Sequence, residues 1–599
     1  MSSPLHEAGS KTGSIVTALA GVLILLRLAV LNLEGPLWGL SALSYLGPGP
    51  ALIWTFAGLV ALLPFLFRRS VEPRWAAAGR ALPAGAVAAA FLLLALFLPN
   101  VATPLLGDGV DRLEATLAGF QSLVGQPAPL DLALHTIAYK AYALAAGDSF
   151  ASAWKLWRLL SYLAGAAGAA ALWKLASLGA ENRGGRAFLF FVPFFAGTVI
   201  FFFGYVENYV LLAAGLYGFY LLFTLAARRA VPLFTLLPAL AALVGLHYFM
   251  ALIAPAVLYA LARHGLWRPS RRFGAAALIL ALAFSALVLT VINDYYGGLA
   301  AIFVGPGQWL GGYHLLGFLN QQLLASPALL LLLPLALAGR RRAPAARDSA
   351  PGFDPLRTLL GAASLILLVF FFFLRPVIGP GPDWDLFALP ALAYTPWLVM
   401  TIYRDWRGRP DFARVGWAAM VLAAVFTGPW LSVNLTEPRS FARYRDLLEW
   451  ESGHNPWAAS YGYLRLGKYL SQRSFDRRNP EIAGSLLRAV RINPDSATLR
   501  QQVAQVFSAM GDEAQARPQL AAHHRLLGAY DERKGRFSEA ASQYEQSLGY
   551  EPADQSVIRA LVAICETKLG DPARAAAWRQ QLAAPPPPPV PPPLPMPPP

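Results

Sequence analysis

Apolar runs long enough to cross a bilayer, roughly 17 to 25 residues each, recur along the first 433 positions and are separated by short polar loops. Thirteen spans are predicted, at 15–31, 51–67, 81–98, 158–178, 187–203, 208–227, 231–246, 247–262, 273–292, 315–338, 358–375, 386–402 and 415–433. Beyond Val433 the continuous runs stop, and apolar residues return at helical spacing among charged ones, with recurring Gly, Ala and Pro. This pattern predicts an all-α protein: a polytopic membrane helical bundle over 15–433 after a short N-terminal segment (1–14), a connecting segment (434–480), a repeat-like helical domain (481–584) and a proline-rich tail (585–599).

Composition agrees. Only 14% of the 599 residues are charged and 56% are hydrophobic, against roughly 25% charged in a soluble domain. The 166 residues after Val433 hold 20 basic and 17 acidic side chains, and so read as soluble. The single cysteine, Cys565, excludes an intrachain disulfide framework and a cysteine-based zinc site.

The formal charge of +15 is carried by 42 Arg and 7 Lys. In the membrane part, arginine clusters follow alternate spans: Arg68, Arg69, Arg74 and Arg80; Arg183 and Arg186; Arg228 and Arg229; and the groups 263–272, 340–347 and 404–414. Positive loops mark the cytoplasmic side, so the N-terminus is expected inside and residue 434 outside. The run 15–31 lacks a small-residue cleavage site and is expected to remain as an anchor. These inner loops account for the excess positive charge, and no nucleic-acid partner is expected.

The opposite loops collect carboxylates. The longest, roughly 99–157, opens with Gly107-Asp108-Gly109 and continues through Asp111, Arg112 and Glu114. Glycines beside a carboxylate allow a substrate to approach closely, and they also mark ordinary turns. Pro129 then starts an amphipathic helix lying at the membrane surface, on which Asp131 and His135 share a face. This spacing favours a local hydrogen bond over a metal site. Arg158 follows Trp154, Lys155 and Trp157 at the start of the next span; it either anchors the helix or clamps a lipid phosphate.

Glu207, in Gly204-Tyr205-Val206-Glu207-Asn208-Tyr209, stands between two apolar helices, where an ionisable residue is a candidate for function. His247 opens a later run and reads more readily as structural. The loop from Arg375 to Leu386 carries Asp383-Trp384-Asp385 among prolines and glycines. An Asp-x-Asp pair can chelate a divalent metal ion, hold a sugar hydroxyl or cap the following helix.

With its inside N-terminus, long outer loop carrying Asp just after a span, Pro-Leu helix and Arg158-Leu159-Leu160-Ser161 opening the next span, the region 15–433 resembles the GT-C membrane glycosyltransferases. These include protein O-mannosyltransferases and the lipid A aminoarabinose transferase. The resemblance implies a bacterial plasma membrane location, a polyprenyl-phosphate-linked sugar as donor and membrane lipids as surroundings. It makes Asp108 the loop carboxylate that acts as base or orients the acceptor, with Asp111 as the alternative, since Gly109 stands where many relatives carry a second acidic residue. Arg158 falls where the superfamily often has Arg, and with Arg375 would hold the donor phosphate. Glu207, His247, Asp383 and Asp385 are candidates for binding substrate or metal. No certain cofactor is implied, with a divalent metal ion as the candidate. A polymerase or ligase using diphosphate-linked glycan and a non-enzymatic lipid or glycan transporter remain the alternatives.

Between 481 and 584, Gly511-Asp512, Gly535 with Ala540 and Tyr544, and Gly570-Asp571 are similar to tetratricopeptide repeats, with spacings of 24 and 35 residues against a period of 34. Such repeats present a concave face, so a protein partner or acceptor is expected to dock there. The tail has 12 prolines in 15 residues and is expected to be an extended polyproline II strand.

Overall fold

A computed structural model describes residues 4–31, 35–66, 81–123, 126–266, 299–340, 352–407, 409, 411–473 and 480–583, with 282, 286 and 290. The described residues form helices and no strands; an isolated bridge pairs Phe303 with Leu374. The predicted span 273–292 apart from 282, 286 and 290, the basic groups 68–80 and 341–347 and the tail 585–599 lie outside the described residues.

The chain divides into two compact units, Met1–Trp450 and Glu451–Pro599. In the first, five helices are long and apolar enough to cross a membrane: Phe150–Gly179, Tyr209–Ala227, Phe353–Phe373, Leu386–Trp406 and Phe412–Asn434. Leu386–Trp406 is almost wholly enclosed by its neighbours. Shorter apolar helices lie at Gly13–Ala29, Pro48–Leu63, Ala84–Phe97, Leu233–Leu246 and Tyr248–Arg263. The region expected as one span at 315–338 is two helices, Gly312–Ala325 and Leu329–Ala338, set 87° apart. Pro327 lies at the break, where it cannot donate a helical hydrogen bond. Large apolar side chains such as Leu52, Ile53, Phe56, Phe97 and Leu365 face outward, as a bilayer permits and water does not.

The stretch 434–480, expected only to connect, is itself helical. Glu437–Ser452 lies in the first unit as far as Trp450, burying Tyr444, Leu447 and Leu448. Its Ser440 hydroxyl shares a hydrogen bond of 2.6 Å with Thr103. Pro456–Arg473 opens the second unit, in which helices Pro480–Ile492, Ala497–Ala509, Glu513–Arg533, Phe537–Tyr550, Gln555–Thr567 and Pro572–Ala583 follow. Neighbours pack through small residues; Ala540, Ala541, Tyr544, Leu548, Val557, Ile558, Leu561 and Ile564 form one core. Gly511, Gly535 and Gly570 take φ of 78°, 74° and 63° in the inter-helix turns, the left-handed conformation that ends a helix at least cost in glycine.

Candidate functional site

The site is assembled where two loops and a helix start meet. Gly107, at φ 65°, turns the chain into the helix Gly109–Ala118. Its N–H donates to the Pro382 carbonyl at 2.8 Å, which ties the first long loop to the loop carrying Asp383 and Asp385. A methyl at Gly107 would collide with Asp385 Oδ2 and lie 2.6 Å from Glu207 Oε1. Only a residue without Cβ lets these two carboxylates close around the backbone here.

Asp108 follows, with its backbone N–H donating to Glu207 Oε1. Glu207 Oε2 accepts the Asn208 N–H at 2.9 Å, which fixes the second oxygen. Asp385 caps the short helix Leu386–Ala388 through Oδ1, while Oδ2 accepts the Tyr205 hydroxyl at 2.9 Å. Tyr205 in turn accepts the indole N–H of Trp384 at 3.1 Å. Three sequence candidates, Asp108, Glu207 and Asp385, are therefore brought to one point. Asp383 is a near neighbour whose charge acts on Asp385.

Their environments differ. The Asp108 side chain is 41% exposed, whereas Glu207 and Asp385 are buried. Burial pushes the Glu207 carboxyl well above the usual range, and Asp385 and Asp108 add to this; Arg112 and the Asn208 N–H oppose it. Asp385 is raised likewise, first by burial and then by Asp383 and Asp108, against the Tyr205 hydrogen bond. Like-charged carboxylates withdrawn from water resist joint ionisation. The cluster presents one accessible carboxylate backed by two that favour their protonated form.

Arg112, one turn after Asp108, is the cation closest to this cluster in sequence and was not singled out in sequence. Its Nη2 lies 3.7 Å from Asp108 Oδ2, and its Nη1 donates to Gln126 Oε1 at 2.9 Å. The i, i+4 spacing of an acid and a base was the available signal. Tyr205 and Trp384 were also missed, because their hydroxyl and indole acquire a role only through a contact across 179 positions.

Other candidates fall elsewhere. Asp111 sits in the first turn of the same helix as Arg112, where a carboxylate complements the helix dipole. Arg158 Nη2 donates to the Val101 carbonyl at 3.0 Å, and its guanidinium lies over the Trp154 ring at 4.1 Å. Arg375 is exposed; its backbone N–H donates to Ile302. His247 Nδ1 accepts the Phe249 N–H at 3.2 Å and caps a short helix, a structural role. Asp131 and His135 are both buried, with His135 Nδ1 3.2 Å from Asp131 Oδ2 and its ring stacked 3.5 Å from Trp157.

Among the described residues no group of three or more His, Cys, Asp or Glu side chains is arranged to hold a metal ion. The carboxylates around Gly107 are occupied instead by backbone N–H groups and the Tyr205 hydroxyl. No protein-family model matches the chain, and a search of curated proteins finds no match.

Proposed function

We propose that the protein is an inverting GT-C-type glycosyltransferase of a bacterial plasma membrane. In this reading residues 15–433 form a thirteen-span membrane domain with its N-terminus cytoplasmic, and the helices after 480 are degenerate tetratricopeptide repeats outside, docking an acceptor or partner. The enzyme moves a sugar from a polyprenyl-phosphate donor to a lipid, glycan or protein. The observation that carries the reading is the accessible Asp108 carboxylate beside buried Glu207 and Asp385. Asp108 takes the proton of the acceptor hydroxyl as its oxygen bonds to the anomeric carbon; the bond from that carbon to the phosphate oxygen breaks, and its electron pair leaves with the phosphate. One displacement inverts the anomeric configuration.

The test is transfer in proteoliposomes from a synthetic polyprenyl-phosphate sugar to acceptors in a membrane extract, read by mass spectrometry. Wild type is expected to form a glycosidic bond and Asp108→Asn to lose about 100-fold or more in rate. Unchanged turnover in Asp108→Asn removes the assigned base. Release of a pyrophosphate-linked lipid identifies the polymerase or ligase reading, and lipid movement without a new glycosidic bond identifies the transporter. Donor phosphate also needs a cation. Arg158 and Arg375 were the sequence candidates, but Arg158 is engaged with Val101 and Trp154, and Arg375 stands exposed.

A further inference from the structure

Arg443 has all three guanidinium nitrogens buried without a hydrogen-bond partner, and the residue is 2% exposed. A guanidinium offers five N–H donors and no acceptor. Withdrawing it from water unpaired costs several kcal/mol in general, and proteins retain such groups where something else supplies the oxygens. What does contact it is a ring: the guanidinium lies over Trp430 at 4.3 Å. Tyr45, Tyr205 and Asp446 reach it through their fields, and none of them accepts a hydrogen bond from it. Burial lowers its pKa to about 10, so it is still a cation at neutral pH.

Its location links it to the carboxylates. Trp430 packs edge-to-face on Trp384 with centroids 5.3 Å apart, and Trp384 donates to the Tyr205 hydroxyl that holds Asp385. Arg443's own helix, Glu437–Ser452, touches both loops of the site, through Ser440 on Thr103 and through Leu447, which approaches Gly381 closely enough to exclude a methyl there. A cation with unused donors thus stands behind the ring that borders the acidic cluster.

We propose that Arg443 binds a prenyl phosphate, the phosphodiester of the prenyl-linked sugar donor and the phosphate monoester it becomes on transfer, by presenting its paired N–H groups to two phosphate oxygens. The planar fork of a guanidinium matches this geometry, which a lysine ammonium does not. The assignment rests on the transferase reading for the identity of the donor, but the phosphate contact is measurable without any transfer.

The experiment is equilibrium binding of farnesyl phosphate, farnesol and inorganic phosphate to the full chain in mild detergent, for wild type, Arg443→Lys and Arg443→Gln. Wild type is expected to bind farnesyl phosphate more tightly than farnesol or inorganic phosphate. Arg443→Gln should lose about ten- to a hundred-fold in farnesyl phosphate affinity, the equivalent of a charge-assisted hydrogen bond, with farnesol binding unchanged. Arg443→Lys should fall between. Equal farnesyl phosphate binding by wild type, Arg443→Lys and Arg443→Gln overturns the proposal, as does a wild type that does not distinguish farnesyl phosphate from farnesol. Inorganic phosphate binding as tightly as farnesyl phosphate overturns the lipid source. If Arg443→Gln does not fold, the ratio of farnesyl phosphate to farnesol affinity in Arg443→Lys decides: a fall supports the site and an unchanged ratio removes it. Phosphate binding through Arg443 without sugar transfer leaves this site standing and sinks the transferase; transfer with unchanged binding in the variants does the reverse.

Discussion

Gly107→Ala is the sharpest probe of the carboxylate cluster. The added methyl faces two costs: a left-handed backbone at φ 65°, about 1–2 kcal/mol for a residue with Cβ, and a collision with Asp385 Oδ2 together with contacts at 2.6 and 2.8 Å to Glu207 Oε1 and Cγ. Overpacking of this kind costs about 1–3 kcal/mol, so the total expected loss is about 2–5 kcal/mol. The steric share can be isolated with a double-mutant cycle. Asp385→Ala removes the colliding oxygen but leaves both Glu207 contacts, so Gly107→Ala should cost about 1 kcal/mol less in that background than in wild type. The assay is denaturant titration in mild detergent, with all four chains at one detergent concentration. Losses that add to within about 0.5 kcal/mol would mean that Asp385 does not close on Gly107, and the cluster would be wrong.

Further expectations concern the charges and turns. Glu207 has a raised pKa in the folded chain, so its contribution to stability is complete below its ordinary value of 4.5 and is lost as pH rises through the folded value; Glu207→Gln, which cannot ionise, should flatten this decline in melting temperature measured across pH, and an identical slope would refute it. Arg158→Gln removes a charged hydrogen bond to the Val101 carbonyl and should cost about 1.5–3 kcal/mol of stability, whereas exposed Arg375→Gln should stay within about 0.5 kcal/mol. In the second unit, Gly535→Ala forces Cβ into a left-handed turn with no neighbour within 4 Å, so circular dichroism melting should report only the backbone cost of about 1–2 kcal/mol.

Helix positions were largely legible because run length and apolarity are local quantities. Described helices overlap the predicted runs, but five are single helices long and apolar enough to cross a membrane; 315–338 is two helices, and all of 273–292 except 282, 286 and 290 lies outside the described residues. Hydropathy averaging hid the sharp bend at Pro327, since Leu323, Leu324 and the leucines after Ala328 keep the run apolar across the break. Asp108, Glu207 and Asp385 were found because each is a carboxylate placed where an apolar run gives way to a turn. Arg112 and Tyr205 lay inside the same motifs but acquire meaning only from contacts across the fold. Arg443 was not legible: it sits in a stretch of ordinary polar composition, and its isolation depends on Trp430 and on the helix Glu437–Ser452 burying it.

The central claim is a prenyl-phosphate sugar donor acted on at Asp108. Its most direct test is mass spectrometry of the lipids that co-purify in gentle detergent with wild type and with Asp108→Asn. The account predicts a polyprenyl monophosphate bearing a single sugar, retained intact by Asp108→Asn. A diphosphate-linked oligosaccharide, or the absence of both lipids from both samples, would contradict it.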